Sequence, residues 1–215
     1  MATDRPHAGP DHDRVVAVLL AAGAGSRFEG TGHKLLATLP GVPVNEPSTV
    51  FGQSLQHVVE AGFDTVVVVT GALDVSELAG DAATRGLLAD PTVTVWTNPR
   101  WAEGQATSIQ VALDAARGAA ASAVVVGLAD QPSITPSAWR TVAAGSAPIT
   151  IATYDGRRGN PVRLAEAVWP LLPTVGDEGA RVLARARPDL VSEVPCTGSA
   201  NDIDTVEDLR RWQSN

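Results

Sequence analysis

The chain has 215 residues, of which 44% are hydrophobic and 19% are charged, and its formal net charge is −8. This is the composition of an ordinary globular protein with a substantial core, and the acidic balance argues against a nucleic-acid-binding protein, which needs a basic face. The single cysteine, Cys196, excludes an internal disulfide framework, and no Cys/His cluster has the spacing of a zinc site.

Residues 1–13 are rich in Pro, His, Asp and Gly, and we expect a disordered tail there, followed by a single domain over residues 14–215. The tail does not combine a basic start with an apolar segment, as a secretory signal would. The longest apolar run, Val15 to Ala22, is too short to cross a bilayer. We therefore expect a cytoplasmic protein with no membrane partner.

Apolar runs alternate with segments of helical periodicity, a pattern typical of βαβ units around a parallel sheet. Up to Asp130 we predict strand Val15–Ala21, helix Ser48–Ala61, strand Thr65–Thr70, helix Val75–Leu88, strand Val93–Trp96, helix Thr107–Ala116 and strand Ala123–Leu128. Beyond it we predict helix Thr135–Ala144, strands Ile149–Thr153 and Pro161–Leu164 around a turn at Asp155–Gly159, helix Glu178–Ala186, strand Val191–Val194 and helix Thr205–Trp212. The expected fold is α/β, a three-layer α/β/α sandwich.

Ligands of open α/β sheets bind outside the carboxyl ends of the strands. The segments that leave those ends here are Ala21–Lys34, Thr70–Ala72, Thr97–Gly104 and Ala129–Pro132. We expect the functional site to be built from them.

The first of these segments is rich in glycine and reads Leu-Ala-Ala-Gly-Ala-Gly-Ser-Arg from Leu20 to Arg27. Small residues let the backbone wrap around a ligand, and successive N–H groups form a nest for anions. Arg27 and Lys34 place two cations beside that nest, which suits a triphosphate. The alternatives are a tight strand-to-helix turn and an exposed surface lysine. A Walker A loop is excluded because Leu35 follows Lys34, and a dinucleotide fingerprint because Phe28 replaces its third glycine.

This loop, with Lys34-Leu35-Leu36 after it, resembles the signature of the MobA-like NTP transferases, which include molybdenum cofactor cytidylyltransferase and guanylyltransferase. Further resembling segments are Asn98–Ser108, Leu128–Pro132, Gly159–Val162, Gly176–Arg181 and Asp202–Leu209. The series covers nearly the whole chain from Val15. The resemblance implies a mostly parallel, Rossmann-like nucleotide-binding sheet of the nucleotide-diphospho-sugar transferase type. The spacer between Arg27 and Lys34 is longer than the family's, which leaves the reach of Lys34 open.

The resemblance also implies roles for particular residues. Catalysis would involve Arg27, Lys34 and Asp130. The acceptor pocket would contain Asn160, Pro161, Gly179 and Arg181. The nucleotide would be bound by Leu20, Ala21, Ala22, Gly23, Gly25, Ser26, Arg27, Lys34, Thr70, Gly71, Gly104, Ser108 and Asp130. Besides the exposed position open to Lys34, three alternatives remain. Asp130 suits a helix or turn cap before Pro132, Ser108 near a helix start suits a cap, and Arg181 suits an exposed position.

Two aspartates are candidate ligands of Mg²⁺, which nucleotidyl transfer needs and which proteins hold with one or two carboxylates. Asp130 follows a central strand and Asp204 precedes the last helix. The local pattern favours Asp204 as a helix N-cap, with Glu207 completing a capping box. The resemblance instead implies that Asp204 is a metal ligand, with Asp202 as the competing candidate.

The Ala21-Ala22-Gly23 sequence is associated in this family with CTP, whereas Ala-Gly-Gly is associated with GTP. The resemblance thus implies a Mg²⁺-dependent transfer of a nucleoside monophosphate from CTP to a phosphomonoester such as the molybdopterin cofactor, with a molybdoenzyme or its chaperone as a partner. One alternative is a guanylyltransferase or a sugar- or alditol-phosphate nucleotidyltransferase. The other is a non-catalytic nucleotide-binding regulatory or cofactor-insertion protein. The presence of both Asp130 and Asp204 favours the enzyme.

Overall fold

Seven strands form one sheet in the computed structural model, which describes residues 14–26, 28–30 and 32–212. The expected disordered tail and Arg27 lie outside the described residues. The strands are Val15–Ala21 (β1), Val66–Thr70 (β2), Val93–Thr97 (β3), Ala123–Leu128 (β4), Ile149–Tyr154 (β5), Arg157–Ala165 (β6) and Val191–Pro195 (β7). They lie in the order β3-β2-β1-β4-β6-β5-β7, and β6 alone is antiparallel to its neighbours. The prediction of a mostly parallel sheet is confirmed.

Helices connect these strands, and most match the predicted segments. They are Val50–Glu60 (α1), Val75–Leu78 (α2), Ala82–Leu88 (α3), Gln105–Gly118 (α4), Pro136–Ala143 (α5), Ala180–Ala186 (α6) and Val206–Arg211 (α7). The prediction of one helix over Val75–Leu88 was wrong. The chain starts a new helix after Asp81, whose side chain accepts a hydrogen bond from the backbone N–H of Thr84 as an N-cap. The predicted turn Asp155–Gly159 is also shorter, because β6 already begins at Arg157.

The sheet is covered on both faces. Along β1, Ala17 and Leu19 pack into one apolar cluster with residues of α1 and α5. Val16 and Val18 face the other side, where a second cluster includes residues of α4 and α6. Since successive side chains of a strand point to opposite faces, two separate cores make three layers, and the predicted α/β/α sandwich is confirmed. No helix among the described residues has the length and apolar character needed to span a bilayer.

The strand register brings three loops to one edge of the sheet. Ala21 at the end of β1 is paired with Thr70 at the end of β2, and Leu20 is paired with Leu128 at the end of β4. Just beyond, the N–H of Ala129 donates to the carbonyl of Leu20 at 3.0 Å, so the loops after β1 and β4 leave the sheet side by side. This edge is where the sequence places its unusual residues.

Candidate functional site

A cavity of about 640 Å³ opens at this edge, and we call it the strand-end cavity. Its volume lies within the range of small-molecule sites. It is lined by the loop after β1 (Leu20, Ala21, Ala22, Gly23, Ala24, Gly25, Ser26), by Lys34 and Leu35, by Trp101, Ala102, Gly104, Gln105 and Ser108, by Leu128 and Asp130, and by Asp177, Arg181, Asp202 and Asp204. Twelve of these residues were predicted as nucleotide, acceptor or metal contacts, so the structure brings most of the candidate site together.

The glycine-rich loop is closed by a histidine. The Nδ1 atom of His33 accepts a hydrogen bond from the N–H of Leu35 at 3.2 Å, which places the ring proton on Nε2. Nε2 then donates to the carbonyl of Gly23 at 2.9 Å and ties the two ends of the loop together. Burial is the main reason that the pKa of His33 lies below its usual value, and a neutral ring fits this double role. Sequence reasoning gave His33 no function.

Gly25 shows why this loop needs a glycine. Its φ of +62° lies in the left-handed region, and a Cβ there would come within 3.0 Å of the His33 ring. The loop turns sharply at this point, where the N–H of Phe28 donates to the carbonyl of Gly25 at 3.0 Å. The hydrogen bonds of His33 hold this part of the chain next to Gly23, and Lys34, the following residue, extends into the cavity.

Lys34 lies between two carboxylates that are distant in sequence. Its Nζ atom donates to Asp130 Oδ2 and to Asp204 Oδ1, both at 2.6 Å. The Lys34 side chain is only 12% exposed, so it is not a surface lysine. Burial by itself would lower the pKa of Lys34, but Asp130 and Asp204 outweigh it and raise that pKa above its usual value. The long spacer therefore does not keep Lys34 out of the site.

The interpretation of Asp204 as a helix cap was wrong. Helix α7 begins one residue later, with Thr205 as the N-cap. The Thr205 side chain accepts from the N–H of Asp208, and Asp208 in turn accepts from the N–H of Thr205, which completes a capping box shifted by one residue. This cap leaves the Asp204 side chain to point at Lys34.

The carboxylates near Lys34 suit a divalent cation. Asp130 Oδ1 is buried and has no hydrogen-bond partner among the described residues, which leaves it an unsatisfied ligand atom. Asp202 is already held by the Nε2 of Gln131 at 2.5 Å, and burial followed by the charge of Asp130 raises its pKa. No group of three metal-binding side chains is preformed in the part of the chain that is described. Mg²⁺ does not need one, because it keeps several waters and substrate phosphates as ligands.

The cavity is acidic over the residues that are described. Its lining contains four carboxylates, those of Asp130, Asp177, Asp202 and Asp204, and two cationic side chains, Lys34 and Arg181. A polyphosphate entering such a cavity meets more negative than positive charge. Added cations would have to accompany it. Arg27, the other cation that was predicted to bind the nucleotide, lies outside the described residues.

The start of α4 forms the opposite wall. Gly104 is the N-cap of α4 and has a φ of +108°. The backbone of residue 176 packs directly on it, with the N–H of Ala106 donating to the Gly176 carbonyl at 2.9 Å and the N–H of Gly176 donating to the Glu103 carbonyl at 3.1 Å. Ser108 lies one turn inside the helix, so it is not the cap that the local pattern allowed.

A buried asparagine orients Ser108. Asn98 is 1% exposed, and its Nδ2 donates to Thr107 Oγ1 at 2.8 Å and to Ser108 Oγ at 2.9 Å. Because the Ser108 oxygen accepts this bond, its own proton remains available to a ligand in the cavity.

Two predicted nucleotide contacts do not line the cavity. Thr70 is buried, and its hydroxyl lies 3.3 Å from that of Thr97. Gly71 packs so closely against Ala22 and Trp101 that a Cβ on it would come within 2.6 Å of Trp101. The turn after β2 is in direct contact with the loop after β1, because the N–H of Ala72 donates to the carbonyl of Ala22 at 3.1 Å.

A second cavity, of about 310 Å³, adjoins the first and contains two of the predicted acceptor residues, Asn160 and Arg181. The other two do not line it. Pro161 is buried at the sheet, and Gly179 is buried against Ile109 and Gln105.

Gln131 links the two cavities, and sequence reasoning missed its role. It donates to Asp202, and its Oε1 accepts from the Nδ2 of Asn160 at 2.9 Å. The signal was present in the Asp-Gln-Pro sequence at Asp130–Pro132, which was read for its aspartate alone.

Known proteins resemble this chain over most of its length. The sequence profile of the MobA-like NTP transferase domain matches residues 17–191. Nicotine blue oxidoreductase from Paenarthrobacter nicotinovorans is 31% identical over 210 residues, which is 92% of this chain and 95% of that protein.

Solved structures also resemble this chain over most of its length. Rv0371c from Mycobacterium tuberculosis H37Rv has 26% identity and a TM-score of 0.69 over 93% of this chain and 97% of its own. Its complex with manganese has 25% identity and a TM-score of 0.66 over 92% and 97%. A nucleotidyl transferase from Methanothermobacter thermautotrophicus has 22% identity and a TM-score of 0.73 over 93% and 95%, a likeness of fold alone.

Proposed function

Because this chain belongs to the MobA-like NTP transferase family and is a nucleotidyltransferase, we propose that it moves a nucleoside monophosphate from CTP to a phosphomonoester with the help of Mg²⁺ and releases diphosphate. One observation supports this most strongly. The Lys34 ammonium lies 2.6 Å from both Asp130 and Asp204 beside the glycine-rich loop. A cation for the phosphates and two candidate metal ligands are therefore next to each other where a triphosphate would bind.

In the proposed reaction, an oxygen of the acceptor phosphate attacks the α-phosphorus of the nucleotide. The bond from that phosphorus to the oxygen bridging the β-phosphate breaks, and diphosphate leaves with the electron pair. Backbone N–H groups of the loop after β1 would bind the triphosphate, and Lys34 would turn from the carboxylates to the phosphates. The protein's contribution is positioning and charge stabilisation, without a covalent intermediate.

Asp130 and Asp204 would hold the divalent cation, which when bound neutralises phosphate charge as diphosphate departs. Three observations support this assignment. The described lining of the strand-end cavity is acidic, and Asp130 Oδ1 is buried without a partner there. Rv0371c, a structural relative, has a structure in complex with manganese.

The choice of CTP rests on Ala22. Ala22 lines the strand-end cavity, so its methyl group takes up room beside a bound nucleotide. We expect Ala22→Gly to enlarge the pocket and shift the preference from CTP towards GTP. Competition binding of the four nucleotides to wild type and variant measures this, and an unchanged ranking would contradict the assignment.

The acceptor would enter through the second cavity, which shares Leu20, Gln105, Leu128 and Arg181 with the first. A molybdopterin-type phosphomonoester is the acceptor implied by the sequence, and a molybdoenzyme or its chaperone would be the protein that receives the product. Sugar and alditol phosphates are the alternative acceptors.

Diphosphate release tests the reaction. Each NTP is incubated with Mg²⁺ and a panel of phosphomonoesters, and wild type is compared with Asp130→Asn. The matched control is Asp114→Asn, which removes an exposed carboxylate on α4 that pairs only with Arg117 in the described structure. We expect loss of turnover, about a hundredfold or more, in Asp130→Asn alone. Equal turnover in both variants would refute the metal assignment.

A second candidate function is redox, because a relative with 31% identity is named an oxidoreductase. Consumption of a reduced nicotinamide dinucleotide in the presence of an oxidised dye tests it. Phe28 occupies the place of the third glycine of a dinucleotide fingerprint, which argues against that cofactor. Dye-dependent oxidation without diphosphate release would favour the redox function over transfer.

A further inference from the structure

The sheet ends on two outer strands, β3 and β7, and their sequences differ in a way that bears on association. Proteins usually protect an edge strand from pairing with another chain by charged side chains, proline or a bulge. On β7, Glu193 pairs with Arg158 at 2.7 Å, and the strand ends at Pro195. The other edge, β3, reads Val-Thr-Val-Trp-Thr over Val93–Thr97, without a charge or a proline, and pairs with β2 without a shift in register. Only β7 therefore carries the usual protection.

The backbone of β3 has unused hydrogen-bonding groups on its outer side. The Thr92 carbonyl accepts from Val66, and the N–H of Asn98 donates to Thr70, so the even-numbered residues of this segment bond to β2. The N–H and C=O groups of Val95 and Thr97 then point away from the sheet, and no backbone group of the described residues pairs with them. A second strand could accept and donate there.

This edge is complementary to a second copy of itself. An antiparallel pair with its two-fold axis at Val95 joins the two Val95 residues by both of their backbone bonds, and joins each Thr97 to Val93 of the second copy. In the same register Trp96 lies opposite Thr94 of the second copy, in a pair whose side chains are close. Trp96 is 43% exposed and Thr94 is also exposed, so the pairing covers an apolar ring twice.

The charges that flank β3 favour the same arrangement. A chain of net charge −8 repels its copies in general, but β3 itself is neutral. Asp90 and Arg100 each lie five residues from Val95, so antiparallel pairing brings Asp90 of one copy to Arg100 of the other. The bonds of Asp90 to Thr92 use Oδ1 alone, which leaves Oδ2 available within the described structure. Arg100 pairs with Glu103 but remains 58% exposed.

We propose that β3 is a dimer interface, at which two copies of this chain pair antiparallel about Val95 and continue the sheet from one subunit into the other. This inference is independent of the proposed function, since it uses no residue of the strand-end cavity. Strands of five residues make a small interface, so we expect a reversible dimer with a Kd on the order of 10 µM.

Sedimentation velocity of the full-length chain over roughly 1–200 µM tests the association, because this range spans the expected Kd. A shift from monomer to dimer is expected, and a monomer at every concentration would overturn the proposal. Trp96→Lys should weaken the dimer at least about tenfold. Leu171→Lys, which adds the same charge at a residue that is 51% exposed outside β3, is the control and should have no effect. Thr94→Lys is a second variant if Trp96→Lys unfolds. An equal loss in the variant and the control would also overturn the proposal.

Oxidative cross-linking tests the register, in a Cys196→Ser background that removes the native thiol. Residues paired across the two-fold axis have Cα atoms about 5.5 Å apart, within the range of a disulfide, so Val95→Cys should form a covalent dimer. Thr97→Cys is the matched control on the same strand. Its two copies would be separated by four residues, about 14 Å, and should not cross-link. Equal cross-linking at both positions, or at Thr97→Cys alone, would contradict the antiparallel register.

Charge reversal tests the flanking contact. Arg100→Glu places a carboxylate beside Asp90 of the second copy and should weaken the dimer about threefold, the size expected of an exposed pair. Arg210→Glu makes the same change in net charge on α7, where the side chain is 73% exposed, and should leave the dimer unchanged. The same loss in both variants would show a general charge effect and contradict the contact between Asp90 and Arg100.

Discussion

Gly104→Ala tests whether the loop over residues 173–179 is held in place by backbone contact with the start of α4. With φ +108° and ψ 166°, Gly104 occupies a region of backbone conformation that is essentially restricted to glycine. A Cβ there would lie 2.4 Å from the carbonyl carbon and 2.5 Å from the oxygen of Gly176. Both neighbours are backbone atoms, so a side chain cannot simply rotate away.

The strain of such a residue is about 1–3 kcal/mol, and displacement of the Gly176 peptide adds to it, so we expect a loss of about 3 kcal/mol in the free energy of unfolding. For a chain of this size that corresponds to a fall in Tm of roughly 6–12 °C. Gly104 and Asp177 both line the strand-end cavity, so the affinity for CTP should also fall, by about tenfold. Calorimetric unfolding and a CTP titration measure the two effects.

The matched control is Gly86→Ala. Gly86 is exposed in the middle of α3, and a Cβ there would meet nothing within 4 Å. It should raise the free energy of unfolding by about 0.5–1 kcal/mol, because alanine is the better helix former. If Gly104→Ala behaved like Gly86→Ala, with unchanged CTP binding, the packing of the loop on α4 would contribute to neither stability nor CTP affinity, contrary to this prediction.

Three further predictions follow from the site and its surroundings. Lys34→Met removes the cation that lies between two partly buried carboxylates, which should lower the Tm in EDTA. Mg²⁺ should then raise the Tm more in the variant than in wild type, and equal Mg²⁺ effects in both would contradict this prediction. His33→Ala should open the glycine-rich loop and weaken CTP binding with little change in Tm, and it fails as a prediction if CTP affinity is retained. Burial lowers the pKa of His57 in the folded protein, so protonation of this ring favours the unfolded chain. The free energy of unfolding should therefore fall as the pH drops below 6.5, and it should level off only below the lowered pKa of the folded state. The variant His57→Gln should show a flatter curve of Tm against pH.

Local pattern predicted the framework well. The bounds of β1 and β4 match the predicted segments, because buried parallel strands are continuous apolar runs in sequence. The break between α2 and α3 was missed although Gly80-Asp81 marks it, since the apolar periodicity of Val75–Leu88 continues across the break. Periodicity detects a buried face, and it does not detect a change of helix along that face.

The sequence named twelve of the residues that line the strand-end cavity, but it did not predict the contacts between them. Lys34 is 96 residues from Asp130 and 170 residues from Asp204, and no local pattern connects such positions. Their meeting depends on the strand order, which brings the ends of β1 and β4 together. The helix cap at Thr205 shows that a local pattern can also fit more than one residue. Asp204 and Thr205 both fit a capping pattern, and only the tertiary contact with Lys34 distinguishes them.

The most direct test of the account is calorimetric titration of CTP into the full-length chain with Mg²⁺ and with EDTA, for wild type and for Asp204→Asn. The strand-end cavity has more carboxylates than cationic side chains in its described lining, so we predict that wild type binds CTP tightly only with Mg²⁺ and that the variant loses most of this difference. Tight CTP binding in EDTA, or binding that is unaffected by Asp204→Asn, would contradict the central claim that these carboxylates bring a metal to a triphosphate.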